Sequence, residues 1–98
     1  MESSQKAGRD SIRCFFMKRY GKPFVIGISN NGALGVLVSP EVLKEWTIDE
    51  WKAQMAVVMK YFCEQCPRFQ LIRLDFGVMS EDPSIKENTS LFSILNEP

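Results

Sequence analysis

The chain has 98 residues, twelve basic against twelve acidic side chains, and 45% apolar residues. That suits one globular domain with an ordinary core, and zero net charge supplies none of the basic footprint that nucleic-acid binders need. There is no histidine, which removes the usual general base, the commonest zinc ligand and every Ser-His or Cys-His nucleophile pair.

Residues 1–9 are polar and read as a loose tail, and the Met-Glu-Ser-Ser start carries no charged-then-apolar secretory pattern. No apolar run reaches the length of a membrane span. A cytoplasmic protein with neither membrane nor nucleic acid among its partners is the expectation. In the segment 10–20, Ile12, Phe15, Phe16 and Tyr20 stand at helical spacing, with Asp10 or Ser11 as N-cap and Gly21 as stop. Ile12, Cys14 and Phe16 also alternate as in a strand. The helix is the preferred reading.

Hairpin 24–38 follows. Asn31-Gly32 is a strong type I′ turn dipeptide, and a two-residue turn there pairs Ile28 with Gly35 and Ile26 with Leu37. In that register one face carries Phe24, Ile26, Ile28 and Leu37 and the other Val25, Leu34, Val36 and Val38. Gly27 and Gly35 fall on opposite faces. Both sides are then apolar, and both call for cover.

Ser39-Pro40 closes the hairpin, and 41–46 reads as a short helical turn with proline at its start. Thr47 and Glu50 have capping-box spacing, with Trp46 placed to staple onto Trp51. Ile48, Trp51, Met55, Val58, Met59, Phe62 and Cys66 recur at helical period, giving a helix 48–66 that ends at Pro67. Residues 69–76 read as a strand with Ile72, Leu74 and Phe76 inward and Arg73 and Asp75 outward. The tail 80–98 is polar, turn-rich and partly flexible, except for a short apolar element at 90–95. The predicted fold is a single α+β domain over 1–98. A three-stranded, mostly antiparallel sheet (hairpin 24–38 plus strand 69–76) packs on the long helix 48–66, and its second face meets either the N-terminal helix 10–20 or another copy of the chain.

Chemistry is sparse. Cys63 and Cys66 have a spacing that clamps metals or cycles through a disulfide. A structural zinc needs four ligands, and the chain offers only Cys14 as a third. The pair also sits at the end of a helix, where the dipole disfavours a thiolate. Reduced, structural thiols are the expectation, with no metal and no cofactor. The run Phe24 to Gly32 lacks the lysine and the following helix of a phosphate loop. Val-Leu-Val-Ser39, Val42 to Trp46 and the capped helix from Thr47 together resemble the segment leading into the zinc helix of an H-E-x-x-H metallopeptidase family. The motif positions are Val57, Val58 and Tyr61 here, so ligands and general base are missing and the resemblance implies no protease activity.

Three apolar features remain outside this scheme: the line Ala53, Val57 and Tyr61 on the long helix, the two-sided hairpin, and Leu91, Phe92, Ile94 and Leu95 in the tail. Such patches mark contact sites. The outline of helix, hairpin, long helix and further strands resembles roadblock-like and profilin-like dimerising modules. The expected function is a non-enzymatic interaction module, a homodimer acting as adaptor or regulator of a larger protein. The alternatives are a small-molecule binder with an apolar pocket lined by Phe24, Ile26, Trp51 and Met55, or a thiol protein using Cys63 and Cys66.

Overall fold

The computed structural model describes residues 2–21, 24–80 and 88–97, with side chains from Asp10 onward. In chain order the elements are α1 (Glu2–Tyr20), β1 (Val25–Ile28), β2 (Ala33–Val38), α2 (Pro40–Leu43), α3 (Ile48–Gln65), β3 (Arg73–Val78) and β4 (Thr89–Leu95). The four strands form one sheet in the order β1-β2-β3-β4. Both outer pairs are antiparallel, while β2 and β3 run parallel across the α2–α3 crossover. The α+β class holds. The three-stranded, mostly antiparallel sheet is corrected to a mixed sheet of four, because the C-terminal element is a full strand at its edge.

Helix α3 starts where its chemistry dictates. The Thr47 hydroxyl accepts from Glu50 N–H at 3.2 Å and the Thr47 N–H donates to the Glu50 carboxylate at 3.0 Å, a reciprocal capping box. Trp46 packs on Trp51 with ring centroids 4.6 Å apart. Trp51 donates its indole N–H to the Leu43 carbonyl at 3.0 Å, tying α2 to α3. Helix α1 begins at Glu2, so the backbone of 2–9 is helical where a loose tail is expected, and Ile12 and Phe16 are buried.

The hairpin differs from expectation by one residue of register. Ser29 N–H donates to Ala33 O at 3.0 Å and Gly32 N–H to Ser29 O at 3.3 Å. Gly32 alone in this turn has positive φ, at 91°. This is a three-residue loop, a type I turn closed by a left-handed glycine, and not the type I′ turn, which needs positive φ at Asn31 as well. The Ser29 hydroxyl bonds the Asn31 side chain and also accepts from Ala33 N–H. The strands therefore pair Ile26 with Val36, Ile28 with Leu34 and Gly27 with Gly35.

That single step reverses the face of every β2 side chain relative to β1. Ile26, Leu34, Val36 and Val38 now share one buried face with Leu74 and Phe76 of β3, and Phe24, just before β1, joins them. Both helices cover this face: Ile12 and Phe16 of α1 belong to the same core as Trp51, Met55, Val58 and Phe62 of α3. The hairpin is one-sided. The expectation that α1 covers the other face is overturned, since α1 and α3 lie side by side in one layer.

Candidate functional site

The helix-free face is the most informative surface. Across it runs a row of paired positions, Gly27, Gly35, Asp75 and Ser93, one from each strand in turn. Arg73 Nε donates to both Asp75 oxygens at 3.1 and 3.2 Å, and the Ser93 hydroxyl donates to Asp75 at 2.6 Å. Arg73 and Asp75 share the outward face as the alternation of β3 requires, and each keeps over a third of its side-chain surface in solvent. Two shallow depressions of about 540 and 390 Å³ share Gly35, Arg73 and Asp75 as lining. Around them Val25 is 48% exposed and Leu95 64%.

The glycine pair needs explaining. Neither Gly27 nor Gly35 has positive φ. A Cβ on Gly27 would meet nothing within 4 Å, and one on Gly35 would meet only the Gly27 carbonyl oxygen at an ordinary 3.6 Å. Glycine inside a strand costs about 0.5–1 kcal/mol relative to alanine. The fold carries that cost without needing the missing side chains. Strand glycines often mark a bulge, a bend or a place where a ligand or another backbone approaches closely, and the pairing at Gly27–Gly35 is regular, with no bulge. Gly77 is a contrast: its Cβ would lie 2.6 Å from Thr89 O at the β3–β4 bulge, so its absence of side chain serves the fold.

The expected contact residues scatter. Ala53 and Val57 are exposed on the outer side of α3. Tyr61 turns aside and stacks on Phe15 of α1 with centroids 4.4 Å apart, so the three do not form one face. Phe92 and Ile94 lie on the core side of β4, Phe92 stacked on Phe76 at 4.9 Å, while Leu95 projects to the open side. Leu91 is the extra residue of the bulge, between the pairs Phe76–Phe92 and Gly77–Ser90.

Phe24, Ile26, Trp51 and Met55 line neither of the two depressions described. All four are buried in the core, where Trp51 meets Phe24 at 6.2 Å and stacks on Phe76 at 5.1 Å. Both depressions described lie on the opposite side of the sheet. At the end of α3, burial pushes the Cys63 thiol up, partly offset by the Asn96 amide donating to its sulfur at 3.8 Å. Burial and then the neighbouring Cys63 push Cys66 up as well. Thiols so shifted are held protonated, which disfavours thiolate chemistry.

Among the described residues no group of three or more His, Cys, Asp or Glu side chains is placed to hold a metal, and no helix is long and apolar enough to cross a membrane. No family model, curated protein or solved structure matches the chain significantly.

The glycine-floored face was missed because the type I′ assumption puts Gly27 and Gly35 on opposite sides. The signal lay in Ser29-Asn30-Asn31-Gly32, whose first serine and single glycine fit a type I turn with a left-handed fourth residue.

Proposed function

We propose that this protein is a non-enzymatic interaction module, homodimeric, that receives a segment of a larger protein on the open face of its sheet. The observation that carries this reading is the Gly27–Gly35 pair, which the fold does not require and which lets a second backbone approach the sheet closely. The flanking Val25 and Leu37 supply apolar contact. Arg73, Asp75 and Ser93 supply hydrogen-bonding groups that orient a polar backbone. The self-association arm draws on the uncharged edge strand β4.

A photo-crosslinking residue at Leu37 tests the docking surface in cells. A discrete protein captured by the wild-type face and lost when Gly27→Val fills it supports the reading. The same capture pattern with and without Gly27→Val overturns it. Circular dichroism of both variants establishes that the fold is intact.

A further inference from the structure

We infer that two copies of the chain pair antiparallel through the outer edges of β4, Ser93 opposite Ser93, joining their sheets into one of eight strands. This rests on the homodimeric part of the reading above, and not on what docks on the open face.

β4 is an edge strand of seven residues, nearly twice the length of the opposite edge, β1. The Asn96 N–H turns inward to Ile72 O at 2.8 Å. Backbone direction alternates along an antiparallel strand, so Ile94 also faces β3 while the N–H and C=O groups of Ser93 and Leu95 point outward. Natural edges are blunted by charge, proline or brevity. Thr-Ser-Leu-Phe-Ser-Ile-Leu has no charge and no proline. Its bulge lies at Leu91, towards the start of the strand, and leaves the ladder from Phe92 to Leu95 regular.

The occupant follows from the order of residues. Leu91-Phe92-Ser93-Ile94-Leu95 is a palindrome of polarity centred on Ser93. An antiparallel pair with its two-fold axis at Ser93 sets Phe92 opposite Ile94 twice, all four side chains on the helix side of the joined sheets. Ser90 then faces Asn96. Shifting the axis to Phe92 sets Ile94 against Ser90, and shifting it to Ile94 sets Phe92 against Asn96. Of the three, only the Ser93 axis sets both Phe92 and Ile94 against an apolar residue. Phe92 and Ile94 are both partly exposed on the helix side of β4. A second β4 would cover that remaining surface, beside the Lys52 side chain that lies over Phe92 with its Nζ 5.9 Å from the ring centre, and the strand itself brings no like charges face to face.

The register is directly readable. A hydrogen-bonded pair at the axis holds its Cα atoms about 5.5 Å apart, within disulfide range. In a Cys14→Ser background, Ser93→Cys should form an intermolecular disulfide on mild oxidation, identified by mass spectrometry as a 93–93 crosslink. Ser93→Pro removes one outward backbone donor and leaves the inward backbone bonds in place; it also loses the Ser93 hydroxyl bond to Asp75, a loss that Ser93→Ala shares and so controls for. It should raise the dimer dissociation constant about tenfold or more, as expected for losing some 1.4 kcal/mol at an interface, while Ser93→Ala leaves it near wild type. Light scattering of the wild-type chain across concentration comes first. A monomer at every concentration overturns the homodimer and this pairing with it. A dimer that keeps its affinity in Ser93→Pro and gives no 93–93 crosslink overturns the edge pairing alone. Should Ser93→Pro fail to fold, amide exchange on the wild type decides: slowed Ser93 and Leu95 amides in the dimer support the pairing, and unchanged ones overturn it.

Discussion

The two faces of the sheet are built by opposite rules. Under the helices, Leu34, Val36, Val38 and Leu74 are wholly buried and Phe76 is 1% exposed. A few ångströms away the other face holds two glycines, a serine and a solvated Arg–Asp pair. The covered face is specified by volume, and its residues are those that fill space between sheet and helix. The open face is specified by the absence of volume where the fold imposes none. In so small a domain, burying one face fully and leaving the other bare concentrates stability on one side and frees the other for contact.

The contrast breaks most readily on the covered side. Trp51→Ala removes the ring stacked on Phe76 and leaves the Leu43 carbonyl without its donor, and should cost about 3–5 kcal/mol. Urea unfolding followed by circular dichroism measures it. Gly77→Ala forces a methyl towards Thr89 O and should cost about 1–3 kcal/mol by displacing the bulge, with chemical-shift changes centred on Thr89 to Leu91. Thr47→Ala opens the capping box and should cost about 1 kcal/mol. Gly27→Ala has the opposite sign: it should stabilise by about 0.5–1 kcal/mol while weakening partner capture. A loss of stability there would mean the glycine serves the fold.

The smallest effect is with pH. Cys63 and Cys66 titrate above the ordinary thiol value of 9.0 in the folded chain. The protonated form is thus favoured by folding, and this contribution is fully present below pH 9 and lost as pH rises through the folded values. Denaturation midpoints should be level from pH 7 to pH 8.5 and fall above that. Replacing both residues by serine should lessen the fall between pH 9 and pH 10, above which Tyr20, which burial also pushes up, continues it.

What was legible in the chain was whatever rested on local contacts. The T-x-x-E spacing at Thr47 and Glu50, the Trp46–Trp51 staple and the apolar stripe of α3 from Trp51 to Phe62 are all fixed within one or two turns, whereas Ile48, placed on that stripe, is 42% exposed and Cys66 is the C-cap beyond the helix. The outward placing of Arg73 and Asp75 also follows from strict alternation. The strand they sit on begins at Arg73, however, and Ile72, read as inward, is 53% exposed in the irregular stretch before it. The sequence shows 90–95 only as a short apolar element, because a short run interrupted by serines gains its order as a strand only from pairing with β3. The candidate site needed non-local information throughout. Tyr61 looks like an exposed continuation of Val57 until α1 lays Phe15 against it, and the glycine row exists only once the register of β2 is known.

The parallel seam between β2 and β3 has a consequence for how the chain folds. Its partners, Leu34 with Leu74 and Val36 with Phe76, are forty residues apart, whereas the hairpin closes over a three-residue loop. Closing the long loop costs entropy before any contact repays it. The hairpin and α3 should therefore form early, and the seam should close last. Leu74→Ala should then speed unfolding far more than it slows folding, which the two arms of a chevron plot would separate. A domain that zips shut down its middle exposes both half-sheets on the way, and the uncharged strand at one margin is present in that open state too. The same palindrome that matches two folded copies gives two unfinished ones a way to meet, so refolding yield should fall as concentration rises.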